Sequence, residues 1–326
     1  MISIEAFDGD EAEWDRFVAN SPNRTLFHRR SFLGYHGERW RRSDRSVTFW
    51  KGSQLVGVLP LGADASGCGV SSPWGASFGA PLLRVTTIAD IREVVGSLLD
   101  HASEQGWSSV RIGLPPPEYQ VTEATFEFAL VEAGFNASGM EFTQIVKVSS
   151  SDPDMLLSSK ARNKSRNAVA AFRIERDADP DSFFAVLAAD RDRLGVPATH
   201  THDQLVDIRE RCPGGIDFEV ATHAGSGGKA AACYFSIRPG IEFAFYLCQD
   251  NDARGANGVN ALVLDRMRRL HQAGGGLLDF GTSSLSGVLN EGLATFKEGM
   301  GGRASLRRTY VLELKGGDGV RRPARP

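Results

Sequence analysis

One short pattern occurs twice in this chain, and the repeat constrains the fold more than any other feature. Gly106-Trp107-Ser108-Ser109-Val110-Arg111-Ile112-Gly113 precedes Ala124-Thr125-Phe126-Glu127, and a glycine-led run over 274–281 precedes Ala294-Thr295-Phe296-Lys297. The second glycines of the two copies lie 168 residues apart and the phenylalanines 170 apart. Each copy reads as a glycine turn, a buried strand closed by a second glycine, and a short helix. Two units of similar length, one following the other, are therefore expected. Only the second copy carries a lysine after its phenylalanine.

At 326 residues, with 41% apolar and 24% charged side chains, the chain can bury two cores of ordinary size. The periodicity predicts helices over 88–102 and 257–273, strands over 108–114, 142–148, 241–249, 276–281 and 305–314, and a helix near 122–133. On the 257–273 helix, Val259, Val263, Met267 and Leu270 are expected to face inward, with Arg266, Arg268 and Arg269 in water. Residues 149–154, short, polar and ready to cap a helix, read as the linker. The expected division is 1–150, then 151–314 carrying the working group, then a disordered tail over 315–326. The class is α/β (α+β), two tandem units each with a mixed sheet flanked by helices, related by a pseudo-twofold.

A net charge of −3 argues against a dedicated nucleic-acid binder, so no DNA partner is expected. Cys68, Cys212, Cys233 and Cys248 are scattered without ligand-like spacing. His200 and His202 share a loop but have no third ligand, and His28 and His36 stand alone; no metal is expected. Residues 1–8 are acidic, without a basic region leading an apolar run, and nothing approaches the roughly 18 apolar residues of a membrane span. These features predict a cytoplasmic location and no membrane insertion.

Two clusters bear on chemistry. Asp279-Phe280-Gly281 ends a buried strand, and Phe296-Lys297 follows a loop containing Ser283 and Ser284. Ligands of open α/β sheets collect at such strand ends. Lys297 is either an ordinary helix-surface lysine or a fixed cation. Asp279 is either a turn former or a base for an incoming amine. Ser283 and Ser284 are loop hydroxyls, able to donate to a substrate or simply solvated. The second cluster is Lys160, Arg162, Lys164 and Arg166, followed by Asn167, on one predicted helix. It serves phosphate binding or is a solvated charged face. Trp74 and Phe78, in a glycine-rich loop, either stack on a planar substrate or pack between units.

Taken together, these motifs resemble the Fem-type family of tandem GNAT acyltransferases. The resemblance rests on Asp279-Phe280-Gly281, on Phe296-Lys297 with Met300-Gly301, and on 162–168, and it runs over roughly 10–314. Thr25-Leu26-Phe27-His28 and the 73–81 loop add to it. Familiar members move an amino acid from aminoacyl-tRNA to a peptidoglycan precursor. The resemblance implies that Lys297 lies at the acyl-transfer centre, where a fixed cation stabilises an oxyanion, and that the 160–167 segment lies near substrate. It implies no tightly bound cofactor, a donor that is aminoacyl-tRNA or acyl-CoA, and an acceptor amine on a small molecule or peptide. Ordinary GNAT enzymes hold coenzyme A pyrophosphate on an Arg/Gln-x-x-Gly-x-Gly/Ala loop. Residues 254–260 here place Asn257 where that spacing wants glycine, which favours aminoacyl-tRNA. No run of charged heptads supplies the long helical arm of some cell-wall members. A non-catalytic binding module is the reading outside enzymology, weakened because the second copy keeps its Phe-Lys.

Overall fold

The computed structural model describes residues 1–119 and 123–314. The expected tail over 315–326, and the start of the expected 122–133 helix, lie outside the described residues. The chain opens with β1 (Ile2–Ala6), α1 (Glu11–Ala19), α2 (Arg30–Leu33) and α3 (Glu38–Ser43). Next come β2 (Val47–Lys51), β3 (Gln54–Leu59), β4 (Gly62–Ala63), β5 (Val70–Ser72) and β6 (Leu82–Leu83). Then follow α4 (Ile88–Glu104), β7 (Ser109–Gly113), α5 (Glu123–Glu132) and β8 (Asn136–Val148).

The second half continues with α6 (Ser159–Ala171), β9 (Phe172–Arg176), α7 (Pro180–Leu194) and α8 (His202–Arg211). Strands β10 (Ile216–His223), β11 (Lys229–Arg238) and β12 (Ile241–Gln249) lead to α9 (Asn251–Gly255) and α10 (Gly258–Gln272). The last elements are β13 (Gly276–Thr282), β14 (Ser284–Leu285), β15 (Val288–Leu289), α11 (Glu291–Gly299) and β16 (Arg303–Glu313).

Among the described residues two compact units result: those up to Glu141 together with those over 306–314, and Phe142–Ser305. This differs from a cut at 150/151, for a reason visible in the ladders. Strand β8, following α5, pairs from Thr143 onward with β13, while β16, following α11, pairs over Thr309–Glu313 with β7. Each copy has handed its last strand to the other, and a strand belongs with the sheet that satisfies its backbone.

The duplication persists in the topology. In the first unit β5 runs parallel to β7 for three pairs, Val70↔Val110 to Ser72↔Ile112. In the second, β12 runs parallel to β13 for three pairs, Ile241↔Leu277 to Phe243↔Asp279. Each parallel connection needs a crossover helix, supplied by α4 and α10. On α4 the apolar period buries Ile91, Val94, Val95, Leu98 and Ala102 under the first sheet, and Thr87 caps the helix by accepting from Asp90 N. Ile88, the first residue of α4, is 39% exposed.

On α10, Val259, Val263, Met267 and Leu270 are buried as expected, but Arg266 is not in water. It is 6% exposed, stacked 4.5 Å from the Tyr234 ring, and it donates to Asp217 and Glu219 on β10 and to Glu242 on β12. Arg269 also donates to Glu219, and Arg268 to Asp154. A helical wheel cannot show this, because the carboxylates that draw Arg266 inward lie on β10 and β12. The second core otherwise gathers Val146, Ala232, Leu262, Val263, Met267, Leu278, Phe280 and Met300.

Candidate functional site

The site begins where β12 and β13 separate. Their pairing stops at Phe243↔Asp279, and both strands continue. Continued in register, Phe245 would face Gly281. Instead, the β11–β12 ladder shifts register at this point, so that Tyr234 pairs with Ala244 and Cys233 with Tyr246. Gly281 adopts φ +69°, and a Cβ there would stand 2.9 Å from Phe243 Cε2. Only glycine meets both demands cheaply. Asp279, fully buried, sets the turn: its Oδ1 accepts from Gly281 N at 2.7 Å and from Thr143 Oγ1 at 3.1 Å.

Lys297 reaches this turn from α11. Its side chain is 3% exposed, and Nζ donates to Gly281 O at 2.9 Å and Thr282 O at 2.8 Å. Asn290 caps α11 through Leu293 N, and Met300 and Gly302 close its end by bonding back to Phe296 O and Lys297 O. Phe296, half-buried, packs against the second core. A cation is thus fixed at a strand end by two backbone carbonyls.

The serines are architectural as well as adjacent. Ser283 N donates to Phe142 O, its carbonyl accepts from Asn290 N, and its Oγ donates to Gln144 Oε1 at 2.7 Å. Ser284 Oγ accepts from Phe142 N at 2.8 Å. From Ser284 to Leu289 the chain forms the β14–β15 hairpin, where the hydroxyl-rich sequence predicts a plain loop. It carries Leu285 at 80% exposure and Val288 at 73%.

The basic segment divides in two. Arg162 donates to Asp154 O and Leu157 O, and Arg166 pairs with the Asp154 carboxylate at 2.6 Å. Arg268 grips the same carboxylate at 2.9 Å. Burial raises the Asp154 carboxyl, but Arg268 and Arg166 outweigh that and leave it below its usual range. These two arginines of the segment therefore pin the turn that precedes α6. Lys160, Lys164 and Asn167 are exposed on α6. The first turn of α6 adjoins the end of α11, where Ser158 N donates to Gly299 O at 2.9 Å.

Trp74 and Phe78 belong to the first unit and pack inside it. Trp74 Nε1 donates to Ala63 O, and its ring lies against His36 and Trp40; Phe78 is 1% exposed among Phe27 and Tyr119. Where the second unit has Lys297, the first has Glu127, bound by Tyr310 and Arg308. The counterpart of Gly281 O is Gly113 O, which accepts from Gly79 N at 2.9 Å. The first copy of the site is closed by its own backbone.

Gln144 and Thr143 escaped the sequence reading. The available signal was a pair of polar residues inside the apolar strand run 142–148. At the α10 N-terminus, Asn257 takes a left-handed conformation, Gly258 packs against Ala230, and Val259 N donates to Gln249 Oε1 at 3.3 Å.

No family model matches the chain, and no curated protein matches it. Solved structures do. FemX superposes with a TM-score of 0.71 at 13% identity, over 95% of this chain and 97% of its own. L-PGS from Bacillus licheniformis gives 0.62 at 12%, over 94% and 92%. A tandem GNAT protein from the clavulanic acid biosynthesis pathway gives 0.57 at 11%, over 98% and 100%. Among the described residues no helix is long and apolar enough to cross a membrane. The duplicated parallel-strand units, the exchanged last strands and these superpositions together identify the fold as the tandem GNAT fold of Fem-type proteins.

Proposed function

We propose that the chain is an N-acyltransferase whose second unit moves an aminoacyl group from aminoacyl-tRNA to the amine of a small-molecule or peptide acceptor. The observation that carries this reading is Lys297: a buried ammonium held on the carbonyls of Gly281 and Thr282, where two parallel strands part. Attack by the amine nitrogen on the ester carbonyl puts negative charge on the carbonyl oxygen. Collapse then breaks the ester C–O bond, the ribose oxygen takes a proton, and the amine nitrogen loses one. A preorganised cation in a water-poor site stabilises that oxyanion without reorganising. Asp279 is fully buried and receives two hydrogen bonds, so in this reading it shapes the turn and the amine's proton leaves with substrate or solvent. Lys160 and Lys164, with the neutral amide of Asn167 beside them, present the exposed cationic face that a phosphate-bearing donor needs.

The donor preference rests on α10. Gln249 takes the Val259 amide, so one backbone donor fewer faces a pyrophosphate than a phosphate-binding helix start offers. Acyl-CoA is the second reading, favoured by the neighbour from clavulanic acid biosynthesis, a tandem GNAT protein solved without AcCoA. The test offers pure protein labelled aminoacyl-tRNA and labelled acetyl-CoA in parallel, with a mixed pool of amines and peptides. Label is then sought in base-stable amide. Transfer from tRNA supports the first reading, and transfer from acetyl-CoA alone replaces it with the second. Transfer from neither, with Lys297→Met indistinguishable from wild type, overturns both.

A further inference from the structure

We infer that Gln144 is the positioning residue of this site, the group that fixes α11, and with it the Lys297 ammonium, against the β13 turn. The inference rests on the reading of Lys297 given above. Gln144 lies on β8 between Thr143 and Ile145, which pair with Thr282 and Asp279. It therefore sits opposite the irregular stretch of β13 that contains Gly281. It is fully buried.

Its carboxamide is used at both ends. Nε2 donates to Ala294 O at 3.0 Å, and Oε1 accepts from Ser283 Oγ at 2.7 Å. Ser283 directly follows Thr282, one of the two carbonyls that hold Lys297, and Ala294 lies one helical turn before Lys297. The backbone between them leaves the sheet to make the β14–β15 hairpin, and Gln144 spans the base of that excursion. It also meets the far end of α11: a Cβ on Gly302 would stand 3.2 Å from Gln144 Cβ and 2.8 Å from Lys297 O.

The choice of glutamine follows from this geometry. One planar group must donate to a helix carbonyl and accept from a hydroxyl; among side chains of this length the carboxamide does both at any pH, whereas a carboxyl group does so only when protonated. Glutamate keeps the bond from Ser283 but, ionised, faces Ala294 O with a second acceptor. Methionine fills a similar volume and makes neither bond. The two variants thus separate the helix tie from packing.

The experiment reads Lys297 without needing a substrate. The full-length protein is treated with acetic anhydride, and labelling of Lys297 is followed by peptide mass spectrometry, with exposed Lys160 and Lys164 as internal references. Amide hydrogen exchange is followed in the β10–β11 hairpin, in the same unit. The expected result is that Gln144→Glu and Gln144→Met each speed Lys297 labelling by about tenfold, the scale of one lost hydrogen bond in local opening, while β10–β11 exchange stays at the wild-type rate. Labelling unchanged in both variants overturns the inference. So does acceleration of both readouts together, which would make Gln144 a contributor to global stability only. The labelling outcome is independent of whether acyl transfer is found. With a donor in hand, Gln144→Met is expected to lower kcat about tenfold at unchanged KM, the split expected when only a transition-state interaction is lost.

Discussion

Lys297 Nζ and Gly281 O lie 2.9 Å apart, and each residue accounts for the other. The glycine turns β13 so that its carbonyl and that of Thr282 face α11; the lysine brings to them a side chain long enough for its amine to bind both. The first copy lacks both halves of this relationship. Gly113 O is taken by Gly79 N, and Glu127 stands at the lysine position, held by Tyr310 and Arg308.

Gly281→Ala tests the turn. The new methyl meets Phe243 at 2.9 Å, and alanine pays for a positive φ of about +69°. The expected loss is about 2 kcal/mol or more in urea denaturation, combining conformational and steric costs. Adding Phe243→Leu should recover the steric part only, leaving about 1 kcal/mol of conformational cost.

Lys297→Met removes the cation and keeps an apolar stem. Two carbonyls lose a buried donor, so a stability loss of about 1–3 kcal/mol is expected along with the loss of turnover. Turnover should fall by about a hundredfold or more, as for removal of an oxyanion stabiliser. Circular dichroism at a temperature below both midpoints checks that the comparison is between folded proteins.

His28 gives the first unit an acid-sensitive contribution. Its Nε2 faces Ala80 O at 3.0 Å and therefore carries the proton, leaving Nδ1 to accept from Thr25 Oγ1 at 2.7 Å. Burial lowers its pKa to about 4, against the ordinary 6.5, and the Ala80 carbonyl offsets only part of this. Between those values the unfolded chain binds the proton and the folded chain does not. The contribution is therefore whole above pH 6.5 and is lost as pH falls through about 4. It amounts to roughly 3 kcal/mol. Urea midpoints for wild type and His28→Gln should converge over that window; parallel curves would contradict the assignment.

Arg266→Leu should be among the most damaging single changes. It strips the guanidinium from Asp217, Glu219 and Glu242 together, and burial already raises the Glu219 carboxyl despite Arg269 and Arg266. Breaking such a buried group from one side costs about 3–5 kcal/mol. Adding Glu219→Gln should return part of that loss, read as a rise in the thermal midpoint of the double variant over the single.

Much of this was legible in local sequence. The glycine-bounded strands at 109–113 and 276–282, the apolar faces of α4 and α10, and the Phe-Lys after the second copy all follow from periods and turn chemistry within about fifteen residues. The same locality explains what was missed. Arg166 reads as one more cation on a charged helix until Asp154 and Arg268 are seen around it. Gln144 reads as an interruption in a strand until Ala294 and Ser283 close on it.

The sequence by itself determined that the chain is a duplicated α/β protein, and that one lysine distinguishes its second copy. Tertiary structure alone decided that the end of β8 pairs with β13 and the end of β16 with β7, that Arg266 is buried, and that Lys297 points inward onto two carbonyls. Periodicity records which face of an element is apolar, because that depends on neighbours three or four positions away. It holds no record of which distant strand or carboxylate that face will meet, and those partners settle where a charged side chain ends.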